Sequence, residues 1–146
     1  MKPTTIGLVL LCIAGAVGLT LTGCGPAAAE QLHGGLNAAT DYADPLYAAT
    51  VAECDAQEED VLASHAPDDG EAAYAALAQV RARCDVALAS WEAVRETQRT
   101  LRATADAMED GRATASDLLR SLDELQGAYR AAHELYLSIR AARGTP

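Results

Sequence analysis

Phenylalanine is missing from this chain of 146 residues, and its aromatic content is five Tyr and one Trp. Lysine is nearly missing as well. Lys2 is the only one, and the remaining ten cations are Arg, the first of them Arg81. Against 11 Lys and Arg stand 21 Asp and Glu, a formal net charge of −10. That balance argues against nucleic acid as a partner, because the phosphate backbone repels net negative charge. Strand-like alternation of polar and apolar residues is lacking too, which leaves no basis for a sheet. Catalytic and cofactor signatures are equally scarce. There is no C-x-x-C-H for covalent haem, no G-x-S-x-G and no glycine-rich phosphate loop. No EF-hand spacing exists either. His133-Glu134-Leu135-Tyr136-Leu137 opens like the zinc-protease pattern H-E-x-x-H, but Leu137 holds the second ligand position. His33, His65 and His133 are scattered and read as solvated or capping residues. Nothing couples a nucleophile to a base or a metal to its ligands, so neither an enzyme nor a cofactor is expected.

What the chain does have is alanine, 33 residues of it. Ala loses no side-chain entropy in a helix and heads the helix-propensity scale. The length suits one domain and not comfortably two.

The first segment reads as an address. Lys2 forms a minimal positive start, and Ile6 to Leu21 is an uncharged apolar run. The run ends in Leu21-Thr22-Gly23-Cys24. A short apolar stretch followed by small residues describes a secretory signal. The Leu-Thr-Gly-Cys ending resembles the lipobox of bacterial lipoproteins. The resemblance covers these residues only. It implies cleavage after Gly23, a diacylglyceryl group on the Cys24 sulfur and an acyl chain on its nitrogen. Each buried methylene contributes about 0.8 kcal/mol, and stable attachment needs two or more chains, a condition this lipid meets. The implied location is the bacterial cell envelope, with the membrane as partner through Cys24. Gly25 in place of Asp favours the outer membrane in a Gram-negative host. The competing interpretation is an uncleaved membrane anchor, since about 20 apolar residues can span a bilayer.

On the lipoprotein reading, Cys12 leaves with the signal and Cys24 takes the lipid. Cys54 and Cys84 remain, an even pair in an oxidising compartment.

The expected division is 1–23 signal peptide, 24–44 lipidated tether or broken helical extension, and 45–146 helical bundle. Gly34-Gly35, Asp44-Pro45, Ala66-Pro67-Asp68-Asp69-Gly70, Gly111 and Gly144 punctuate the mature chain. A first helix is expected from Pro45 to Ser64, with Asp44 as N-cap and Pro45 in the first helical position. A second runs from Glu71 to Glu109 behind Asp68 or Asp69. A third runs from Ala115 to Arg143, with Thr114 and Asp117 spaced for a capping box and Arg140 and Arg143 in the last turn.

The apolar positions alternate by three and four, as in a coiled-coil seam. The second helix offers Leu77, Val80, Cys84, Ala87, Trp91, Val94, Gln98, Leu101, Ala105 and Met108. The third offers Ala115, Leu118, Leu122, Leu125, Tyr129, Ala132, Tyr136 and Ile139. The first offers Tyr47, Val51, Cys54, Glu58 and Val61. Antiparallel partners share a constant sum of residue numbers. Cys54 with Cys84, Tyr47 with Trp91 and Val61 with Leu77 all sum to 138, which centres the turn on residue 69. Leu101 with Leu122 and Val94 with Tyr129 sum to 223, which centres the next turn at Gly111. The expectation is an all-α fold, an elongated antiparallel three-helix, coiled-coil-like bundle after a cleaved signal peptide, with Cys54 and Cys84 at one level. A disulfide then competes with two separate buried thiols or a partner-facing pair. The far half of the second helix, around Leu101, needs a cover. Leu32 and Leu36 supply it if the chain continues through Pro45, with a kink or break at Gly34-Gly35 or Pro45.

Charge is distributed unevenly. Residues 24–71 hold 11 acids and no Lys or Arg. The densest patch is Glu53, Asp55, Glu58, Glu59 and Asp60. It reads as a solvated face paired with Arg of the later helices, or as a docking surface for a basic partner or a divalent cation. Trp91 with Tyr47, Tyr129 and Tyr136 forms a core layer or the wall of a small-ligand cleft, and Gln98 sets register. The function expected is a non-enzymatic, lipid-anchored binding or structural module with an envelope protein as partner. The alternatives are a phage or prophage lipoprotein in lysis or superinfection exclusion, and a divalent-cation or small-ligand binder.

Overall fold

The computed structural model describes residues 26–66 and 69–143, with side chains from His33 onward. The signal segment, Cys12, the acylation position Cys24 and the side chain of Leu32 lie outside the described residues. Three helices follow in order: α1 (Pro26–Ser64), α2 (Gly70–Glu109) and α3 (Ala115–Arg143). At 1.5 Å per residue their 39, 40 and 29 residues make rods of about 58, 60 and 44 Å. The three pack against one another as an all-α bundle.

The α2–α3 turn is built as its residues dictate. Gly111 takes φ +68°, the left-handed conformation that costs glycine little. Thr114 and Asp117 then close a reciprocal cap. The Thr114 N–H and hydroxyl donate to Asp117 Oδ2 at 2.9 and 2.6 Å, and the Asp117 N–H donates to Thr114 Oγ1 at 3.3 Å. The α1–α2 turn differs from expectation. Asp69 occupies the N-cap, but its side chain makes no capping hydrogen bond. Its carbonyl accepts the Ala73 N–H at 3.0 Å.

The buried stripe of α2 is Val80, Cys84, Ala87, Trp91, Val94, Gln98, Leu101 and Ala105. Each of these was expected from spacing, with Leu77 and Met108 half-buried at the ends. On α3, Leu118, Leu122, Leu125, Tyr129, Ala132 and Ile139 are buried as expected, Tyr136 is half-buried, and Ser121 is an addition.

Helix α1 departs from expectation in two ways. It does not start at Pro45. It runs unbroken from Pro26, through Gly34 and Gly35 and with Pro45 inside it. Proline has no N–H to give the carbonyl four residues back, here Asp41. Asp41 and Pro45 are both exposed, so water can serve that carbonyl. Meanwhile Leu36, Ala39, Ala43 and Leu46 form a buried stripe that crosses the proline without interruption. Packing on that stripe outweighs the local penalty. Leu36 is fully buried in the cluster that holds Leu101 and Leu122, the cover that the far half of α2 required.

The second departure is rotation. The buried positions of α1 are Leu46, Thr50, Cys54 and Gln57, whereas Tyr47, Val51, Glu58 and Val61 are only half-buried. A helix facing two neighbours buries the stripe between them, not the seam toward one. Thr50 and Gln57 fill that stripe because their polar groups are satisfied. The Thr50 hydroxyl donates to the Leu46 carbonyl at 2.8 Å, and Gln57 Nε2 donates to the Ile139 carbonyl at 2.6 Å.

Contacts step along the α1–α2 hairpin in antiparallel register: His33 with Glu109, Asn37 with Arg102, Asp44 with Arg95, Glu58 with Arg81. Helices α1 and α3 run parallel, joined from the Tyr129 hydroxyl to the Ala39 carbonyl and from Arg143 to Asp60.

Candidate functional site

Cys54 and Cys84 meet across the α1–α2 hairpin at disulfide distance, with Cα atoms 5.9 Å apart and a sequence separation of 30. Their side chains are 6% and 4% exposed, inside a small core with Val80, Ala87 and Ile139. This core is separate from the larger one around Trp91, Leu101, Leu122 and Tyr129.

The acidic patch does not converge on one point. Glu58 accepts two hydrogen bonds from Arg81, at 3.0 and 2.9 Å, and that guanidinium holds its carboxyl below the usual range. Glu53 and Asp60 both face Arg143, at 3.5 and 3.2 Å, which ties the end of α3 to α1. Asp55 and Glu59 are exposed, and no ion pair among the described residues reaches them. Three of the five carboxylates are therefore taken up by Arg. Among the described residues, no group of three or more His, Cys, Asp and Glu is placed to hold a metal ion.

The aromatic layer is packed core. Trp91 is 1% exposed and meets Tyr129 edge-on, ring centroids 6.2 Å apart. The Trp91 Nε1–H donates to Thr50 Oγ1 at 2.9 Å. The Tyr129 hydroxyl accepts from Gln98 Nε2 at 3.1 Å and donates to the Ala39 carbonyl. Burial raises the Tyr129 phenol well above its ordinary range, so it stays neutral. Tyr47 and Tyr136 pack against this core half-buried, and Tyr47 lies under the Arg95 guanidinium, whose Cζ is 4.2 Å from the ring centroid. Among the described residues, every buried side-chain nitrogen and oxygen has a hydrogen-bond partner.

Two surface features escaped sequence reasoning. His33 stands between Asp106 and Glu109, at 3.7 and 3.5 Å. Leu62 and Tyr74 are strongly exposed near the α1–α2 turn. Both were visible in principle, because the hairpin sum of 138 brings residue 33 opposite 105 and residue 62 opposite 76. Among the described residues, no helix is long and apolar enough to cross a membrane. No protein-family model matches the chain, and neither a curated protein nor a solved structure is similar to it.

Proposed function

We propose that the chain is a lipid-anchored lipoprotein of the bacterial cell envelope, a non-enzymatic binding or structural module held at a membrane through acylated Cys24. The observation that carries this reading is the run Ile6–Leu21 ending in Leu21-Thr22-Gly23-Cys24, two residues before α1 begins at Pro26. The cysteine arrangement supports it. Cys54 and Cys84 sit at bonding distance, and a structural bridge persists in an exported, oxidising compartment.

The cation-binding alternative is weaker than the protein-binding one, because Glu53, Glu58 and Asp60 are already compensated by Arg. Mass spectrometry of the protein from its native membrane tests the anchor. The expected mature N-terminus is Cys24 carrying a diacylglyceryl group and an amide-linked acyl chain. An intact Met1 or a free thiol at Cys24 refutes it. Cys24→Ala is expected to leave the precursor uncleaved and unacylated.

A further inference from the structure

The α1–α2 hairpin ends in a tip that α3 does not cover. Arg143, the last residue of α3, reaches back to Asp60, so among the described residues only α1 and α2 extend beyond it toward the turn. Glu58 and Arg81 mark the hairpin seam at that level. Leu62 lies one turn beyond Glu58 on α1, at i+4. Tyr74 lies two turns before Arg81 on α2, at i−7. Helical spacing puts both beside the same seam, on the side of the turn. They are the two most exposed large apolar side chains among the described residues, Tyr74 at 75% and Leu62 at 59%. Around them Asp55, Glu59, Asp69 and Glu71 are exposed, and no ion pair among the described residues engages them. From Cys24 to Val80 the sequence has no Lys or Arg, and Arg81 is already held by Glu58. The tip is thus apolar at its centre and acidic around it, and no ion pair among the described residues answers these four carboxylates.

We propose that this tip is a docking surface for a basic amphipathic helix of an envelope protein. Leu62 and Tyr74 receive the apolar face of that helix, and the four carboxylates receive its Lys and Arg. An anionic bilayer is excluded as occupant by the same charge. The setting rests on the lipoprotein reading. With Cys24 acylated, the Pro26 end of α1 is at the bilayer and the tip stands up to about 58 Å away along α1.

The test uses the full lipidated protein in nanodiscs and a fluorescent synthetic Leu/Lys amphipathic helix, read by anisotropy. The expected result is binding that weakens roughly tenfold or more in the double variant Leu62→Gln/Tyr74→Ser and in Glu59→Gln/Glu71→Gln. Leu119→Gln, an exposed apolar residue on α3, is expected to leave it unchanged. Circular dichroism checks that each variant keeps its helices. Absence of binding by the probe, undiminished binding by both tip variants, or an equal loss in Leu119→Gln overturns the proposal. The intact mass of the same sample reads the lipid separately. A missing acyl group overturns the anchor and the standoff, and leaves the docking result to be judged on its own.

Discussion

Trp91 shows how much one residue holds in a core of leucine and alanine with few aromatics. It is the largest fully buried side chain, and its only polar atom is bonded to Thr50. Trp91→Ala is expected to cost about 3–5 kcal/mol in urea unfolding, from lost burial and the cavity left behind. A loss below about 1 kcal/mol would place the indole outside the core. Thr50→Val keeps the shape but strands the indole N–H, with an expected cost of about 1–3 kcal/mol. Asp117 gives a pH signature at the same scale. Its capping bonds to Thr114 lower its carboxyl pKa in the folded state. The stability it supplies is therefore present above the ordinary carboxylate pKa and is lost as pH falls through the lowered value. Asp117→Asn is expected to flatten the acid side of the stability–pH curve, measured by denaturant melts across pH 2–6, and to leave neutral pH less affected by titration. The indole was legible as a core residue because aromatic bulk is rare here. Its partner was not, because a threonine gives no sign in sequence that its hydroxyl will be satisfied inside.

At the scale of helices, the legible ones were those whose stripes are apolar. Helices α2 and α3 announce themselves through Val80, Val94, Leu101, Leu118, Leu125 and Ile139. Helix α1 buries Leu36 and Leu46, but fills the rest of its stripe largely with Ala39, Ala43, Thr50 and Gln57, residues that carry little hydropathic signal. Spacing alone then selected Tyr47 and Val51, which are larger but sit off the buried centre. Pro45 misled for a different reason. Its preference for a first helical position is local, whereas the stripe from Leu36 to Leu46 is held by α2 and α3. Because Pro45 is exposed, Pro45→Ala is expected to stabilise the protein, by at most about 3 kcal/mol. Thermal melts check it, and a destabilised variant would mean the proline ring has a packing role. The Cys54–Cys84 pair acts on the same hairpin. Cys54→Ser is expected to lower stability by about 3–4 kcal/mol in oxidising buffer and to show little further change on adding reductant. Wild-type protein should lose a similar amount when reduced; equal stability of wild type and variant in oxidising buffer would show that no bridge forms.

Across the whole molecule, the acidic first third of the chain is compensated only in part, by Arg of the later helices. Acids of α1 meet Arg81, Arg95 and Arg143 of α2 and α3. Exposed pairs of this kind contribute about 0–1 kcal/mol each and weaken with salt. Raising the ionic strength is accordingly expected to shift the melting temperature by only a few degrees. A collapse of the fold in salt would show that these pairs, and not the two cores, hold the bundle.

An odd number of helices has a topological outcome. A chain that enters at one pole of a bundle and traverses it three times must exit at the other pole. Pro26 and Arg143 accordingly lie at opposite ends, where two or four helices would have returned the chain to its point of entry. A reporter fused after Arg143 would therefore stand at the opposite end of the bundle from one fused before Pro26.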